Sequence, residues 1–420
     1  MIFANLCSQP LIFEPFSLKG SNLKYHIPET DGFHALFFQT NWSRLGPSII
    51  QVIQDIFTQH TLPPSWGDMN LALIPKVAHL EVITQFRPIS LCNTLYKLLS
   101  CIIVNQLKPY MVEVINPCQA GFMPRRRTSD NIIIMQEVIR TLISRKGQTG
   151  YVAIKLDLKK AYDWLEWHFI QDTLKFFQLP PNLTTLIMNM ITSTRFHILW
   201  NGTLLLEVVP SRGIRQGDPL SPHLFILCLE RLFIKLNEAI RDKVIHPISF
   251  RGWVRLSHLF FADDIFLFTR ANVRDCKNLG RILLDFYERS GQLMSITKSK
   301  VWFSPRTPRH TKDQLAGILG LPTTNRIGTY LGTPIFTSRR IASSYEYLVE
   351  NIWKRIEGWQ TKYLSMAGRA TLIKASITSI PAYAMQTMLL PQKICHRIDK
   401  LSCNFLWGDT DHHRGCHTVN

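Results

Sequence analysis

The sequence predicts an α+β fold with helices covering one face of a sheet, and three observations support this prediction. Residues 151–158 form a near-continuous apolar run, which is typical of a buried strand. At residues 259–268, two apolar runs flank a short Ala-Asp-Asp break, a pattern that indicates a hairpin. Segments with helical periodicity separate and follow these strands. With 420 residues, 46% of them hydrophobic, the chain can bury a sizeable core.

The first part of the chain is predicted to be mainly helical. Residues 1–30 show no clear period, and a turn rich in proline leads into a short strand at 69–74. A basic loop is expected at 122–131. Helical periodicity predicts helices at residues 33–59, 89–111 and 132–146.

Beyond the buried strand, turn residues divide the chain into further elements. A helix is predicted over 159–178, and an Asn-Gly pair at 201–202 indicates a hairpin turn. The Gly- and Pro-rich stretch 210–220 indicates a loop, and Ser221 with Pro222 indicates the start of a helix. Helical patterns follow at 277–291 and through most of the basic segment after residue 311.

The composition indicates which class of partner the protein binds and in which cellular compartment it resides. The net charge is +18, from 48 basic and 30 acidic residues, which favours a polyanionic partner such as nucleic acid. A basic protein with no such partner remains the alternative. The sequence contains no charge-free run of 18 apolar residues, so no transmembrane helix is predicted. Nine scattered cysteines favour reduced thiols inside a cell over a disulfide framework.

Three carboxylates are candidates for chemistry. Asp263 and Asp264 lie side by side in the predicted hairpin, and Asp157 ends the buried strand. Neighbouring carboxylates resist ionising together unless a cation is near. If the two strands are neighbours in one sheet, the three acids can converge and, with two Mg²⁺ ions, form a site for in-line attack on a phosphate. A polar hairpin turn is the alternative interpretation of the Asp-Asp pair alone.

Four motifs in order carry a family resemblance: "LDLKKAYDWLEW", "SRGIRQGDPLSPHLF", "HLFFADD" and "GQLMSITKSK". They resemble the palm motifs of reverse transcriptases, specifically the non-LTR (LINE-type) retrotransposon group and most nearly its plant elements. Flanking segments such as "LIPK" and "YLGTPI" extend the resemblance from about Asp31 to about Gly408.

The resemblance implies a polymerase shaped like a right hand, with an antiparallel palm sheet. The implied parts are a poorly defined N-terminal segment at 1–30, fingers at 31–150, a palm at 151–305, a helical thumb with connection helices at 306–408, and the start of a truncated C-terminal region at 409–420.

The implied activity is RNA-directed DNA polymerase, a nucleotidyl transfer that extends a DNA primer on an RNA template with deoxynucleoside triphosphates. The implied cofactor is two Mg²⁺ ions, with Mn²⁺ possible. A nicked chromosomal end would serve as primer, which suggests the nucleus, with the cytoplasm as the alternative. No membrane partner is expected.

The resemblance implies a role for individual residues that match the family's motif positions. Asp157 and Asp263 match the two metal-binding aspartates, and Asp264 matches their acidic neighbour. Leu158 would lend its backbone carbonyl to the second metal ion. Tyr162 matches an aromatic residue under the incoming sugar, where a ring would exclude a 2′-hydroxyl; ordinary helix packing is the alternative.

Five further positions match residues around the substrates. Gln216 and Gly217 match the loop that lies against the template–nucleotide pair. Lys76 and Arg87 match finger residues near the triphosphate, although lone basic residues are more often solvated surface. Lys298 matches a lysine close to the leaving pyrophosphate.

Some positions depart from the family pattern. Arg125 stands where the family often has glycine, and Ser295 stands where it has asparagine. The chain has no room for the endonuclease domain that LINE-type proteins commonly carry, so a truncated element copy or a partial gene model is expected. The alternatives to an active polymerase are a decayed or domesticated fragment that binds nucleic acid and, with less support, a maturase-like splicing partner.

Overall fold

The computed structural model describes residues 32–145, 150–250, 254–336, 342–359 and 364–408. The expectations for segments 1–30 and 409–420 lie outside the described residues. The chain divides into two compact units. The first is drawn from Met1–Arg126 and Gly147–Thr323, and the second from Arg127–Lys146 and Thr324–Asn420.

The strands of the described residues are β1 (Asp68–Pro75), β2 (Phe86–Leu91), β3 (Tyr151–Leu156), β4 (Arg195–Trp200), β5 (Thr203–Val208), β6 (Ile248–Phe250), β7 (Val254–Leu256), β8 (His258–Phe261), β9 (Asp264–Arg270), β10 (Lys300–Phe303), β11 (Thr323–Thr324), β12 (Gly328–Tyr330) and β13 (Thr333–Ile335).

The α-helices are α1 (Ala35–Thr40), α2 (Trp42–Gln59), α3 (Thr94–Val114), α4 (Thr128–Ser144), α5 (Trp167–Phe176), α6 (Pro181–Thr192), α7 (Ser221–Arg241), α8 (Val273–Ser290), α9 (Arg309–Leu319), α10 (Glu346–Glu357), α11 (Met366–Leu372), α12 (Ser379–Met385) and α13 (Gln392–Trp407).

A four-stranded sheet in the order β2-β1-β4-β5 forms one part of the first unit. Strand β1 pairs antiparallel with β2 and parallel with β4, and β4 and β5 form the hairpin predicted at Asn201-Gly202. Both turn residues have positive φ, 49° and 81°, as this tight turn requires. The sheet thus combines strands from the segments predicted as fingers and as palm.

A second sheet, in the order β11-β10-β3-β9-β8, holds the predicted buried strand at its centre. Strand β3 is antiparallel to both β10 and β9, and β9 is antiparallel to β8. Alternate residues of β3 and β9, such as Ile154 and Leu267, belong to one hydrophobic core with α7 and α8. The predicted mixture of helices and sheets is therefore confirmed.

The helix predicted over 159–178 begins later than expected, at Trp167. Lys160 has a left-handed backbone, with φ 48°, which ends any helical run there. The carbonyls of Tyr162 and Leu165 accept hydrogen bonds from the Gly213–Ile214 backbone instead of from their own helix. Tertiary contacts therefore override the local helical pattern in the segment that follows Asp157.

The helix predicted over 89–111 also begins later, at Thr94, because Phe86–Leu91 is strand β2. The side chain of Asn93 caps this helix by accepting a hydrogen bond from the Tyr96 N–H at 2.7 Å. The helices predicted near 33–59, 132–146 and 277–291, and the helix starting near Ser221, are confirmed.

The second unit has its own small core. Helix α4 packs against β13, and the Asn131 amide donates to the Tyr330 hydroxyl at 3.2 Å. Helices α10 and α13 contribute Ile352, Ile394 and Phe405 to a cluster of buried apolar side chains. Around Ile373–Ile377 the chain makes a π-helical turn between α11 and α12.

The cysteines in the described part of the chain form no disulfide bond, and they are Cys92, Cys101, Cys118, Cys228, Cys276, Cys395 and Cys403. In that same part, no helix is long and apolar enough to span a membrane.

Candidate active site

Asp157 follows strand β3 directly, and the pairing of β3 with β9 sets its neighbours. The last pair of the register is Leu156 with Ile265. One further step along the same register sets Asp157 opposite Asp264. Opposed residues of an antiparallel pair project to the same face of a sheet, so these two acids share one face.

A tight turn carries the other acid. Phe261 pairs with Asp264, so only Ala262 and Asp263 connect β8 to β9. Ala262 adopts a left-handed backbone with φ 53°, which is uncommon for a residue with a side chain. Asp263 is consequently exposed at the tip, while Asp264 is half-buried at its base.

The acids interact electrostatically. Burial raises the pKa of Asp264, and the nearby carboxylates of Asp263 and Asp157 raise it further. The ammonium of Lys155, whose influence is second only to burial, lowers this pKa, but the net direction remains upward. A cluster of this kind is stabilised by a bound cation.

The backbone of Asp157 is fixed by the segment that the sequence matched to the motif around Lys298. The Asp157 N–H donates to the Ser299 hydroxyl at 3.0 Å, and its carbonyl accepts from the Ser295 N–H at 2.8 Å. The Lys298 ammonium lies 3.7 Å from the Asp157 carboxylate. Lys298 is thus placed beside the acids, as its motif position implies.

Tyr162 lies between the acids and helix α7. Its ring stacks on Phe225 with centroids 5.2 Å apart and an interplanar angle of 18°. Burial raises the pKa of its hydroxyl, and the charge of Asp263 raises it further. The ring is therefore both packed against the helix and close enough to Asp263 to interact with it.

The loop with Gln216 and Gly217 is attached to strand β2. The Gln216 carbonyl accepts a hydrogen bond from the Ser90 N–H at 2.7 Å. Gly217 has φ 117°, and a Cβ there would lie 2.6 Å from the Ser90 carbonyl oxygen. Only glycine fits this backbone conformation and this close approach.

Buried Arg215 fixes the same loop from below. Its guanidinium donates to the Tyr96 hydroxyl, the Met190 carbonyl and the Thr194 hydroxyl, and it lies 4.6 Å from the centroid of the Tyr96 ring. Next to Arg215 is a mostly apolar cavity of about 240 Å³, which also includes Asp163 and Arg212 in its lining but none of the three acids.

The structure places Lys76 and Arg87 on the β1–β2 hairpin, which belongs to a different sheet from the strands that carry the acids. Both side chains are exposed. The Lys76 ammonium lies 3.4 Å from the Thr84 carbonyl, and Arg87 pairs with Ile74 across the hairpin. Strand β2 continues from Arg87 to Ser90, where the Gln216 loop is attached.

Two buried polar residues near the acids had no role in the sequence interpretation. Ser299 binds the Asp157 N–H, and Gln119 binds the Ala262 N–H in the turn before Asp263. Ser299 lies inside a matched motif next to Lys298, which is the signal that could have found it. Gln119 lies in no motif used above, and its position depends on a contact between residues far apart in sequence.

The donor set suits a hard divalent cation. Asp157, Asp263 and the Leu158 carbonyl offer only oxygen atoms, which Mg²⁺ and Mn²⁺ prefer. Within the described ranges, no three His, Cys, Asp or Glu side chains are grouped so as to hold a metal ion by themselves. Mg²⁺ commonly binds through one or two carboxylates together with water and substrate phosphates, so this arrangement fits it.

Comparison with known proteins decides the family. The family model described as reverse transcriptase (RNA-dependent DNA polymerase) matches residues 74–335. The chain belongs to the reverse transcriptase family. The matched region contains every predicted site residue, from Lys76 to Lys298, and members of this family use divalent metal ions.

Similar proteins place this reverse transcriptase among those of non-LTR retrotransposons. It is 27% identical to the transposon TX1 uncharacterized 149 kDa protein of Xenopus laevis over 90% of this chain and 29% of that protein. It is 31% identical to the Pol polyprotein from the type-2 retrotransposable element R2DM of Drosophila melanogaster over 54% of this chain and 20% of that protein. It is also 42% identical to a putative ribonuclease H protein of Arabidopsis thaliana over 20% of this chain and 14% of that protein.

The resemblance to non-LTR reverse transcriptases is therefore confirmed. The chain spans less than a third of the length of these curated relatives. The closer affinity to plant elements, the division at residues 150 and 305, and the individual site roles stay predictions.

Proposed function

We propose that this chain is an RNA-directed DNA polymerase that extends a DNA primer on an RNA template, with Asp157, Asp263 and Asp264 at its active centre. The observation that carries the proposal is the β3–β9 register, which brings Asp157 opposite the Asp-Asp hairpin inside a reverse transcriptase domain. The finer architecture that we propose is a right hand with fingers at 31–150, a palm at 151–305 and a thumb at 306–408.

The acids have distinct roles in this proposal. Asp157 and Asp263 hold two Mg²⁺ ions, or Mn²⁺ in their place, with the Leu158 carbonyl as a further ligand. Asp264 shapes the site through its charge. When bound, the ions supply activation of the attacking oxygen and stabilisation of the leaving oxygens. Anchoring of the Asp157 backbone by Ser299 and Ser295 holds its carboxylate in place before substrates arrive.

The surrounding residues position the substrates. The Tyr162 ring, fixed by its stacking on Phe225, lies under the sugar and excludes a 2′-hydroxyl. Gln216 and Gly217 support the template–nucleotide pair from a loop attached to β2. The exposed Lys298 ammonium can give a proton to the leaving pyrophosphate.

Basic residues supply affinity for the phosphates. Lys76 and Arg87 on the exposed β1–β2 hairpin contact the triphosphate, and the net charge of +18 favours contacts to template and primer backbones. A chromosomal 3′ end as primer would place the reaction in the nucleus.

Primer extension and nucleic-acid binding test the proposal on the same preparations. Asp263→Asn removes one charge with little change in shape, so extension should fall by several orders of magnitude while binding of the primed template survives. Asp285→Asn is the matched control, because Asp285 is an exposed acid on α8 paired with Arg289 at 2.8 Å. It should leave extension unchanged.

Two outcomes contradict parts of the proposal. Equal extension by wild type and Asp263→Asn would remove Asp263 from catalysis. If the wild type extends no primer with Mg²⁺ or Mn²⁺ but binds nucleic acid in a salt-sensitive way, the chain is a decayed fragment that retains binding.

A further inference from the structure

A short segment, residues 118–121, lies along strand β8 and the turn before Asp263. The Phe260 N–H donates to the Cys118 carbonyl at 3.0 Å, and the Ala120 N–H donates to the Phe260 carbonyl at 3.1 Å. We refer to residues 118–121 as the strap. It extends the backbone pairing of the hairpin on the side away from β9.

Gln119 makes the contact from the strap to the turn. Its side chain is fully buried, and its Oε1 accepts hydrogen bonds from the N–H groups of Gly121 and Ala262, each at 3.0 Å. Both partners are donors, so the amide oxygen must face them. One buried atom therefore joins the strap to the residue that precedes Asp263.

Close packing at the neighbouring position leaves the turn little room to move. A Cβ on Gly121 would lie 2.5 Å from the Ala262 nitrogen, so the two backbones are in direct contact. Ala262 needs its left-handed conformation for the turn to close, and that conformation is unfavourable without support. The Gln119 bond and the Gly121 contact provide this support.

The strap is itself held rigidly. The Arg126 guanidinium donates to the carbonyls of Ile115, Asn116 and Gln119, at 2.8, 2.6 and 2.5 Å. The strap thus has a fixed position relative to the end of helix α3, where Ile115 is the C-cap, and can transmit that position to the turn.

We propose that Gln119 is a positioning residue that fixes the Ala262 turn and so holds Asp263 and Asp264 opposite Asp157. The three carboxylates repel one another, and an unsupported turn would relax away from Asp157 when no cation is bound. Gln119 offsets that tendency without entering the metal site. This inference rests on the proposed role of the acids.

Two substitutions at Gln119 separate its hydrogen bonds from its shape. Gln119→Met keeps the length of the side chain and loses both acceptor contacts. Gln119→Glu keeps an oxygen facing the two N–H groups, and it replaces the Nε2 atom, which has no hydrogen-bond partner among the described residues. Asn189→Leu is the control. It removes the hydrogen bond of 2.7 Å that the Asn189 side-chain amide donates to the His60 carbonyl, which joins α6 to the end of α2 and not the strap to the hairpin.

Three measurements are made on each variant: amide hydrogen exchange of residues 259–266, Mn²⁺ binding followed by electron paramagnetic resonance, and primer extension across a Mg²⁺ series. For Gln119→Met we expect about tenfold faster exchange at Ala262, weaker Mn²⁺ binding, a several-fold higher Mg²⁺ requirement and at least tenfold lower kcat, with KM for primed template unchanged. Gln119→Glu should restore slow exchange at Ala262, because an oxygen still accepts from the two N–H groups, and Asn189→Leu should match wild type.

The inference is overturned if folded Gln119→Met keeps wild-type exchange at Ala262 and wild-type Mn²⁺ binding. It is also overturned if Ala262 exchanges as fast in Gln119→Glu as in Gln119→Met, or if Asn189→Leu shows the same pattern. Exchange and Mn²⁺ binding do not depend on turnover. A wild-type chain that extends no primer would therefore refute the proposed function, while these two measurements still decide the role of Gln119.

Discussion

Gly217→Ala should separate the loop that carries Gln216 from strand β2. At this position φ is 117°, and the new methyl group would lie 2.6 Å from the Ser90 carbonyl oxygen. A backbone oxygen cannot turn aside as a flexible side chain can, so either the loop or the strand must move. The hydrogen bond from the Ser90 N–H to the Gln216 carbonyl, 2.7 Å long, lies directly beside the clash.

Two contributions determine how much Gly217→Ala should lower the free energy of unfolding. An alanine in a left-handed conformation costs about 1–2 kcal/mol. Losing or stretching one backbone hydrogen bond costs about 0.5–1.5 kcal/mol more. We therefore expect Gly217→Ala to lower the free energy of unfolding by about 2–4 kcal/mol once the overlap itself is included.

Gly320→Ala is the control for backbone strain alone. Gly320 has φ 64° at the end of α9, and a Cβ there would meet no atom within 4 Å. It should lose only about 1–2 kcal/mol. The difference between the two variants reports the contact with Ser90 together with the less favourable φ of 117° at Gly217.

Urea unfolding measures both variants, and primer extension measures the functional effect. A displaced Gln216 loop should lower kcat/KM for nucleotide by about 10- to 100-fold in Gly217→Ala, because small misplacements at a reacting site are costly. Gly320→Ala should extend primers normally. Equal losses of stability in the two variants, or normal nucleotide use by Gly217→Ala, would refute the reasoning.

Three further predictions concern buried side chains. Tyr162→Ala should raise ribonucleotide incorporation relative to deoxynucleotides, and unchanged discrimination in an active variant would mean that this ring only packs. Burial raises the pKa of Glu230 from 4.5 to about 8, so the native state retains a proton that the unfolded chain releases, and stability should fall as pH rises from about 4.5 to about 8. Glu230→Gln should flatten that slope in urea unfolding measured across this range. Burial lowers the pKa of His258 from 6.5 to about 3, so the free energy of unfolding should decrease as pH falls below 6.5. His258→Phe should make this decrease smaller, because phenylalanine cannot take up a proton and its ring can keep the contact with Phe233. If wild type and His258→Phe lose the same free energy of unfolding between pH 6.5 and the acid range, the prediction for His258 is contradicted.

Local patterns were sufficient for the elements that carry the acids. The strand before Asp157 is a continuous apolar run, and the hairpin around Asp263 alternates apolar runs with turn residues, so hydrophobic periodicity and turn chemistry predict both. The order of these elements along the chain made their pairing a reasonable expectation. The β3–β9 register, which ends at Leu156 with Ile265, then brought Asp157 to the end of the strand that Asp264 begins.

Long-range contacts set what the sequence could not predict. The helix after Asp157 begins only at Trp167, because the backbone carbonyls of Tyr162 and Leu165 bind the loop with Gly213, 46 or more residues downstream. The contact of Gln119 could not be predicted from the sequence either. A single buried amide leaves no periodic pattern, and its partner Ala262 is 143 residues away. Such contacts depend on the completed fold.

The second unit is assembled from two distant stretches of chain, and this has a consequence for biosynthesis. Helix α4 leaves the ribosome before strands β3 to β11 are made, but the strand β13 that packs on it follows them. Until β13 is made, the helix lacks this packing partner, so its apolar side chains, among them Ile132, Met135 and Ile139, raise the risk of aggregation in the nascent chain. An expression fragment that begins at Thr324 would omit this helix altogether. We therefore expect a soluble fragment of the second unit to require residues 127–146 joined to it by a linker.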